Sequence, residues 1–333
     1  MSNEKKYPTD EIHIKEEFSP YVKYEDIPGG HRTCIKIPNK YDVQLSVFNM
    51  IPGITLIKED SKLSDYYQSS NELLYYEHPE ETIIINFLTK GQCQLKVGPD
   101  KYMFRKENDI NIFIKELNPE SFSYIGEITL FHILINNKQF KKYFPKQFSL
   151  YYEVVKNLFD EARKEKNIIF KSPDMLTNII KDVQHIKMER EITNKLYYQL
   201  KTLEFLLLLN DYGIRDETIE QRTYSDVTIR VVRNIKNSLS RNIASYVSLE
   251  QISASYGINL TTLKNCFKDM YGKPLYTWYK EYKFYRAKEL IKNTDYPISK
   301  IANMIGYKSS SKFAKAFKKE MGVLPSSYRK NKK

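Results

Sequence analysis

Two copies of one short pattern near the C-terminus constrain the fold more than any other feature of the chain. They occupy residues 252–272 and 301–322, and each places a glycine turn before apolar residues spaced four apart. The offset is 49 residues between Gly257 and Gly306 and 50 between the closing glycines, so one extra residue in the second turn aligns the copies. The pattern predicts two helix-turn-helix units in tandem, whose second helices can lie in the major groove of DNA. DNA binding is therefore the leading hypothesis.

The excess of positive charge lies in the part of the chain that carries the repeat. Residues 227–333 hold 22 Lys and Arg against 6 Asp and Glu, whereas the rest of the chain holds 31 basic and 35 acidic residues. A basic domain joined to a nearly neutral one is typical of a nucleic-acid binder with a second function.

Cysteine usage and hydropathy favour a cytoplasmic protein. The three cysteines are widely spaced and form no CxxC motif, which argues against a disulfide framework or a structural zinc site. The N-terminus lacks the apolar core of a signal peptide. The longest apolar run, residues 203–209, is interrupted by Glu204 and is too short to span a bilayer, so no membrane partner is expected.

Periodicity divides the chain into a β-rich part and helical parts. Between about Val43 and Ile135, apolar residues alternate with period two between Gly, Asn and Pro turns, which predicts a β-sandwich or barrel. From about Phe140 the apolar spacing is helical. We predict an α+β chain with these parts: a polar arm at 1–20, a sensor or dimerisation domain at 21–210 whose C-terminal part is helical, a charged linker at 211–226, and an all-α DNA-binding domain at 227–333.

Three local patterns in the front domain give specific expectations. The run 82–88 predicts a strand buried on both faces, and Ser172 is expected to cap a helix with Pro173 in its first turn. A leucine stripe at helical spacing indicates core packing, with a dimer interface as the alternative. The stripe consists of Leu196, Leu200, Leu203 and Leu207.

A recognition helix must bury one apolar face and offer short polar or basic side chains on the other. In the first unit, Leu263 and Phe267 can pack inward, and Asn259 is placed to cap the helix. Asn265 can pair with adenine, and Lys264 can donate to guanine acceptors. The predicted DNA contacts of this helix are Thr261, Thr262, Lys264, Asn265 and Lys268.

The second unit offers a more basic helix around Phe313 and Phe317. Serines at a helix start are also ordinary caps, so Lys315 ranks first for specificity. The predicted DNA contacts of this unit are Lys308, Ser310, Ser311, Lys312 and Lys315.

A helix at residues 275–292 is predicted to join the two units. It would span ~27 Å, close to the ~34 Å pitch of DNA, so both reading helices could enter successive major grooves. The predicted phosphate contacts along it are Lys280, Lys283 and Arg286.

These residues carry a family resemblance. The stretch 286–294, together with Ile301, Gly306, Phe317 and the closing Pro-Ser-Ser-Tyr-Arg at 325–329, resembles the signature of the AraC/XylS family of bacterial transcription regulators. The resemblance implies an all-helical DNA-binding domain whose two reading helices are joined by a long helix. It also implies reading positions at Thr261, Lys264, Asn265, Ser310, Ser311 and Lys315. The first unit is less typical, because Ser253 stands where the second has Ala302.

The front domain is similar to the cupin-like sensor barrel of the same family over residues 83–114. Asn108 stands where a glycine is usual, and asparagine tolerates the left-handed backbone conformation. The resemblance implies an N-terminal cupin-like β-barrel that binds a small effector or holds a dimer together.

Catalysis is not expected. Metal-dependent cupin enzymes need clustered His and carboxylate ligands, and here His78 and His132 belong to no His-x-His pair. We therefore expect no enzyme activity, no cofactor and no metal site, but a promoter-binding activator. The expected partners are double-stranded promoter DNA, RNA polymerase, a second copy of the chain and a small effector. Two alternatives stay open: an effector-independent dimeric regulator, and a cupin-type metal enzyme with a DNA-targeting domain.

Overall fold

The chain divides into two compact units, Met1–Thr223 and Tyr224–Lys333. The computed structural model describes residues 12–14, 16–38, 41–63, 74–76, 82–96, 99–114, 121–124, 127–143, 149–165, 167–185, 188–213, 222–244 and 247–330. Most of the predicted arm and residues 214–221 of the predicted linker lie outside these ranges. No helix within them is both long and apolar enough to cross a membrane.

The N-terminal unit is rich in antiparallel strands. They are β1 (Ile12–Ile14), β2 (Val22–Ile27), β3 (Gly30–Ile37), β4 (Tyr41–Ile51), β5 (Ile54–Leu63), β6 (Leu74–Tyr76), β7 (Thr82–Lys90), β8 (Cys93–Lys96), β9 (Lys101–Arg105), β10 (Asp109–Ile114), β11 (Ser121–Tyr124), β12 (Glu127–Asn136) and β13 (Asn167–Lys171). The large sheet has eight strands in the order β13-β10-β7-β12-β5-β4-β3-β2, and a smaller sheet contains β11, β8 and β9 in that order. Among the described residues these sheets are open and do not close into a barrel.

Both faces of the large sheet are covered. On one face, Ile85 belongs to the same apolar core as Phe205 of the following helices. On the other face, Leu88 packs in a cluster with Leu95 of the small sheet. The buried stretch of β7 therefore confirms the prediction of a strand buried on both faces.

The strands are followed by helices, as the sequence predicts. They are α1 (Asn137–Tyr143), α2 (Ser149–Glu165), α3 (Asp174–His185) and α4 (Glu191–Tyr212). The predicted start of α3 is wrong by one residue, because the helix begins after Pro173. The Pro173 carbonyl accepts from the Thr177 N–H at 3.0 Å, and the Ser172 hydroxyl accepts from the Thr177 hydroxyl at 3.0 Å.

Three of the four leucines of the α4 stripe lie on the surface, and the fourth, Leu203, is half-buried. Leu196, Leu200 and Leu207 are 53%, 66% and 47% exposed, whereas α4 buries Phe205 and Leu209 in the core. The prediction that the stripe packs in the core is therefore wrong. The apolar residues of α4 lie on two sides of the helix, and periodicity alone did not show which side meets the sheet.

The turn before β10 has the conformation expected from its sequence. Asn108 has a φ of 65°, the left-handed region that asparagine tolerates, and its N–H donates to the Leu88 carbonyl at 2.6 Å. The prediction for Asn108 is confirmed.

The C-terminal unit is all helical between its first two residues and Lys330. Its helices are α5 (Asp226–Arg241), α6 (Leu249–Tyr256), α7 (Leu260–Tyr271), α8 (Leu275–Asn293), α9 (Ile298–Met304), α10 (Ser310–Met321) and α11 (Pro325–Lys330). The long helix α8 confirms the predicted connection to within one residue. Its buried residues Phe284 and Ile291 share a core with Ile301, Phe313 and Phe317 of the second helix-turn-helix unit.

Candidate nucleic-acid interface

The two helix-turn-helix units have the spacing that the sequence predicts. Helices α6 and α9 begin at Leu249 and Ile298, 49 residues apart, whereas α7 and α10 begin at Leu260 and Ser310, 50 residues apart. The one extra residue therefore falls in the turn of the second unit.

A side chain caps each of the two predicted reading helices, α7 and α10. The Asn259 side chain accepts from the N–H of Thr261 at 2.8 Å, which confirms its predicted role. The Ser309 hydroxyl accepts from the N–H of Lys312 at 3.4 Å. The cap of α10 is therefore Ser309. Ser310 and Ser311 follow it on the first turn of the helix, where both are exposed.

Helix α7 is amphipathic in the sense that DNA reading requires. Its exposed residues include Thr261, Lys264 and Lys268, and the predicted contacts Thr262 and Asn265 are half-buried. The inner face is formed by buried Leu263, Cys266, Phe267 and Met270. The structure thus places three of the five predicted contacts fully on the surface, and their contact with DNA stays a prediction.

Helix α10 presents a more basic surface. All five predicted contacts of this unit are exposed: Lys308, Ser310, Ser311, Lys312 and Lys315. Lys319 is exposed as well and extends the row of Ser311 and Lys315 by one helical turn. Lys319 is not among the predicted contacts, although its spacing of four residues from Lys315 is visible in the sequence.

The three predicted phosphate contacts of α8 differ in environment. Lys280 forms an ion pair with Glu320 of α10, and this hydrogen bond raises the pKa of Lys280. The Lys283 ammonium lies 4.6 Å from the centre of the Tyr279 ring, and burial lowers its pKa. Arg286 is exposed. Of the three, Arg286 is therefore the best placed to meet a phosphate.

The atypical Ser253 of the first unit has a local partner. Its hydroxyl donates to the Ile258 carbonyl at 2.5 Å, across the glycine turn. The equivalent Ala302 of the second unit is fully buried. A serine is tolerated in the first unit because its hydroxyl is satisfied within the turn.

The N-terminal unit contains a polar network on the face of the large sheet that carries Leu88. Both ring nitrogens of His132 have a partner: Nδ1 lies 2.7 Å from Asn86 Oδ1, and Nε2 lies 3.1 Å from Glu59 Oε2. The Ser61 hydroxyl donates to Glu59 Oε1 at 2.5 Å. His78 lies outside the described residues. Within the described ranges, no group of three or more His, Cys, Asp or Glu could hold a metal ion.

Comparison with known proteins shows similarity to a helix-turn-helix family and to transcription regulators. A family model of a helix-turn-helix domain matches residues 252–331. The chain is 24% identical over 280 residues to YtdP of Bacillus subtilis (strain 168), an uncharacterized HTH-type transcriptional regulator, and this match covers 74% of the chain but 33% of YtdP. The chain thus matches only about a third of the length of that relative.

Two further similarities differ in how much of the chain they cover. The chain is 21% identical over 218 residues to the HTH-type transcriptional activator RhaR of Mannheimia succiniciproducens, covering 66% of the chain and 74% of RhaR. Among solved structures, the C-terminal domain of AraT, a response regulator from Geobacillus stearothermophilus, is 27% identical with a TM-score of 0.29. That similarity covers 30% of the chain and 84% of the AraT domain.

Proposed function

We propose that the chain is a sequence-specific transcription regulator of the AraC/XylS family that binds promoter DNA, and the match of residues 252–331 to a helix-turn-helix family supports this proposal. The observation that carries this proposal is the pair of units with exposed polar and basic helices, α7 and α10. They are joined by α8, whose 19 residues span ~28 Å. That length is close to the ~34 Å between successive major grooves on one side of DNA.

The test is selection of duplexes from a random library by the purified full-length chain. We expect a motif with two half-elements about 10 base pairs apart, because each reading helix enters its own groove. Lys264→Ala should relax the preference in one half-element and Lys315→Ala in the other. Binding that depends on salt but recovers no motif would contradict sequence-specific reading.

The sign of regulation is proposed to be activation, in contact with RNA polymerase. RhaR, which is similar over 66% of the chain, is named a transcriptional activator. The test is transcription from a promoter that carries the selected motif, with and without the chain. A decrease in transcript would overturn the proposal of activation and leave DNA binding intact.

The chain is proposed to act as a homodimer through the leucine stripe of α4. Ile192 precedes the stripe by one turn and is 70% exposed, so the apolar row spans most of the helix. Contiguous exposed apolar surface of this kind is typical of a protein–protein interface. Leu200→Glu should give a monomer in analytical ultracentrifugation. Leu150→Glu should not, because Leu150, 84% exposed, is the one exposed leucine of α2, whose other leucine, Leu158, is buried. A wild-type chain that is monomeric at every concentration would contradict the dimer.

A small polar effector is proposed to bind the N-terminal unit at the face with the polar network. The side chains of His132 and Glu59 are 13% and 10% exposed there, so neither is completely shielded from solvent. Effector binding would change how the reading helices are presented to DNA, which couples the two sites energetically. The test is a thermal-shift screen of metabolites, followed by DNA titrations with each hit. If no hit alters DNA affinity, dimerisation or transcription, the effector-independent dimeric regulator is the better description.

A further inference from the structure

The C-terminal unit begins with a buried contact to its first reading helix. Tyr224, the first residue of the unit, is 7% exposed, and its hydroxyl donates to Asp269 Oδ2 at 2.7 Å. Asp269 lies near the end of α7 and is 5% exposed. A buried carboxylate is costly unless donors reach it, so losing this hydrogen bond would destabilise the present position of α7.

The helix that follows Tyr224 also contacts α7. The Ser225 hydroxyl caps α5 by accepting from the N–H of Thr228 at 3.1 Å, which fixes the chain directly after Tyr224. One turn beyond the middle of α5, the Lys236 ammonium lies 4.9 Å from the centre of the ring of Tyr271, the last residue of α7. The C-terminal end of α7 is therefore held by the first segment of the unit from two sides.

Asp269 is connected to the predicted reading surface by the geometry of the helix. It follows Asn265 by four residues, so the two side chains lie one turn apart on the same side of α7. If Tyr224 moved away, the Asp269 carboxylate would lose the hydrogen bond from its hydroxyl. A rotation of α7 that brings this carboxylate into contact with water would then be favourable. Such a rotation would displace Lys264 and Asn265 from the positions in which they meet bases.

The second unit is built differently at this point. The residue equivalent to Asp269, 50 positions later, is Lys319, and it is exposed. A tyrosine could not anchor α10 in the same way, since a lysine ammonium accepts no hydrogen bond.

We propose that Tyr224 is a positioning residue for the first reading helix, and that its hydrogen bond to Asp269 sets the angle at which α7 meets DNA. A displacement of the chain just before Tyr224 then changes the reading of the first half-element and leaves the second unchanged. This inference depends on the proposed function, because it takes α7 as a reading helix.

The experiment uses the full-length chain and the best duplex that the wild type selects from a random library. In each of two further duplexes, one half-element is scrambled. The half-element that α7 contacts is identified as the one for which Lys264→Ala abolishes the sequence preference. For each scrambled duplex, the ratio of its Kd to the Kd of the intact duplex measures the sequence preference for the scrambled half-element. The α7 ratio is the one for the duplex whose α7 half-element is scrambled, and the α10 ratio is the one for the other scrambled duplex. For Tyr224→Phe, we expect the α7 ratio to fall about tenfold, the size of one hydrogen bond to a charged group, and the α10 ratio to stay within about twofold.

Two variants separate positioning from stability. Tyr279→Phe removes another buried hydroxyl, whose hydrogen bond to the Ile243 carbonyl is 3.1 Å long, and should leave both ratios unchanged. Asp269→Asn keeps an acceptor for the Tyr224 hydroxyl and should retain most of the α7 ratio. The proposal is overturned if Tyr224→Phe leaves the α7 ratio unchanged, or if it lowers both ratios equally. A wild type without any half-element preference would overturn the proposed function and this proposal together.

Discussion

The two helix-turn-helix units share one backbone pattern but are attached to the rest of their domain at different points. The second unit is fixed at its turn. Gly306 has a φ of +89°, and a Cβ at this position would lie 2.4 Å from the Ala244 carbonyl oxygen. The turn of the first unit is open, because a Cβ on Gly257, with a φ of +61°, would meet no atom within 4 Å. The first unit is fixed instead at the end of its reading helix, through Tyr224 and Asp269.

Their exposed surfaces differ as well. Helix α10 carries Lys312, Lys315, Lys318 and Lys319, whereas α7 carries Lys264 and Lys268. Cationic contacts to phosphate supply affinity for any DNA, whereas base contacts supply sequence preference. The comparison therefore indicates that the second unit contributes more to affinity, and that the first unit contributes mainly through the orientation of its helix.

The largest expected effect comes from filling the second turn. Gly306→Ala should lower the free energy of unfolding by about 3 kcal/mol, because left-handed strain adds to a clash with a backbone atom that must move. Gly257→Ala is the matched control and should cost about 1 kcal/mol, from backbone strain alone. Urea unfolding can be followed by the fluorescence of Trp278, the one tryptophan of the chain, which lies in α8. If the two variants lose the same free energy of unfolding, the turn of the second unit is no more tightly packed than the turn of the first, and the difference described here is wrong.

The next effect concerns sequence preference. Lys315→Ala should cost about 1–3 kcal/mol on the best duplex and much less on scrambled DNA, because a base contact is lost. Lys318→Ala, on the same helix but outside the predicted contacts, is the matched control for loss of charge. Fluorescence anisotropy with both duplexes measures the difference. If Lys315→Ala weakens binding to both duplexes equally, Lys315 contacts phosphate rather than bases.

How far the sequence predicts this architecture depends on the kind of information required. The repeat predicted the helices, their offset and the side of α7 and α10 that is exposed, because these follow from local apolar spacing. Two features were not predicted: the hydrogen bond between Tyr224 and Asp269, and the close approach of Gly306 to the Ala244 backbone. Each joins residues far apart in the chain, and a single sequence carries no signal of such pairs. The leucine stripe of α4 was placed in the core for a related reason, since apolar periodicity does not identify the partner of a face.

A smaller effect is expected at the contact between α8 and α10. Glu320→Gln removes a carboxylate and frees the Lys280 ammonium, so it should strengthen binding to all sequences and make the salt slope steeper by about one. The position equivalent to Glu320 in the first unit is Met270, which is buried, so α7 has no acidic side chain at this position. Glu289→Gln, on the same α8 but without a role in this ion pair, is the control. Unchanged affinity in Glu320→Gln would mean that Lys280 stays away from phosphate even when it is released.

The smallest effect separates Lys283 and Arg286, the two remaining predicted phosphate contacts of α8. Arg286→Ala should weaken binding to all sequences alike and lower the salt slope by about one, because an exposed guanidinium can displace a counterion from phosphate. Lys283→Ala should change the slope less, because its ammonium is half-buried over the Tyr279 ring, and burial lowers its pKa and disfavours its charged form. Titrations of a scrambled duplex between low and moderate salt measure both slopes. A larger change for Lys283→Ala would mean that the ammonium leaves the Tyr279 ring when DNA binds. In that case Lys283 would also contribute to affinity for DNA, and the stronger affinity assigned to the second unit would have to be shared with this part of α8.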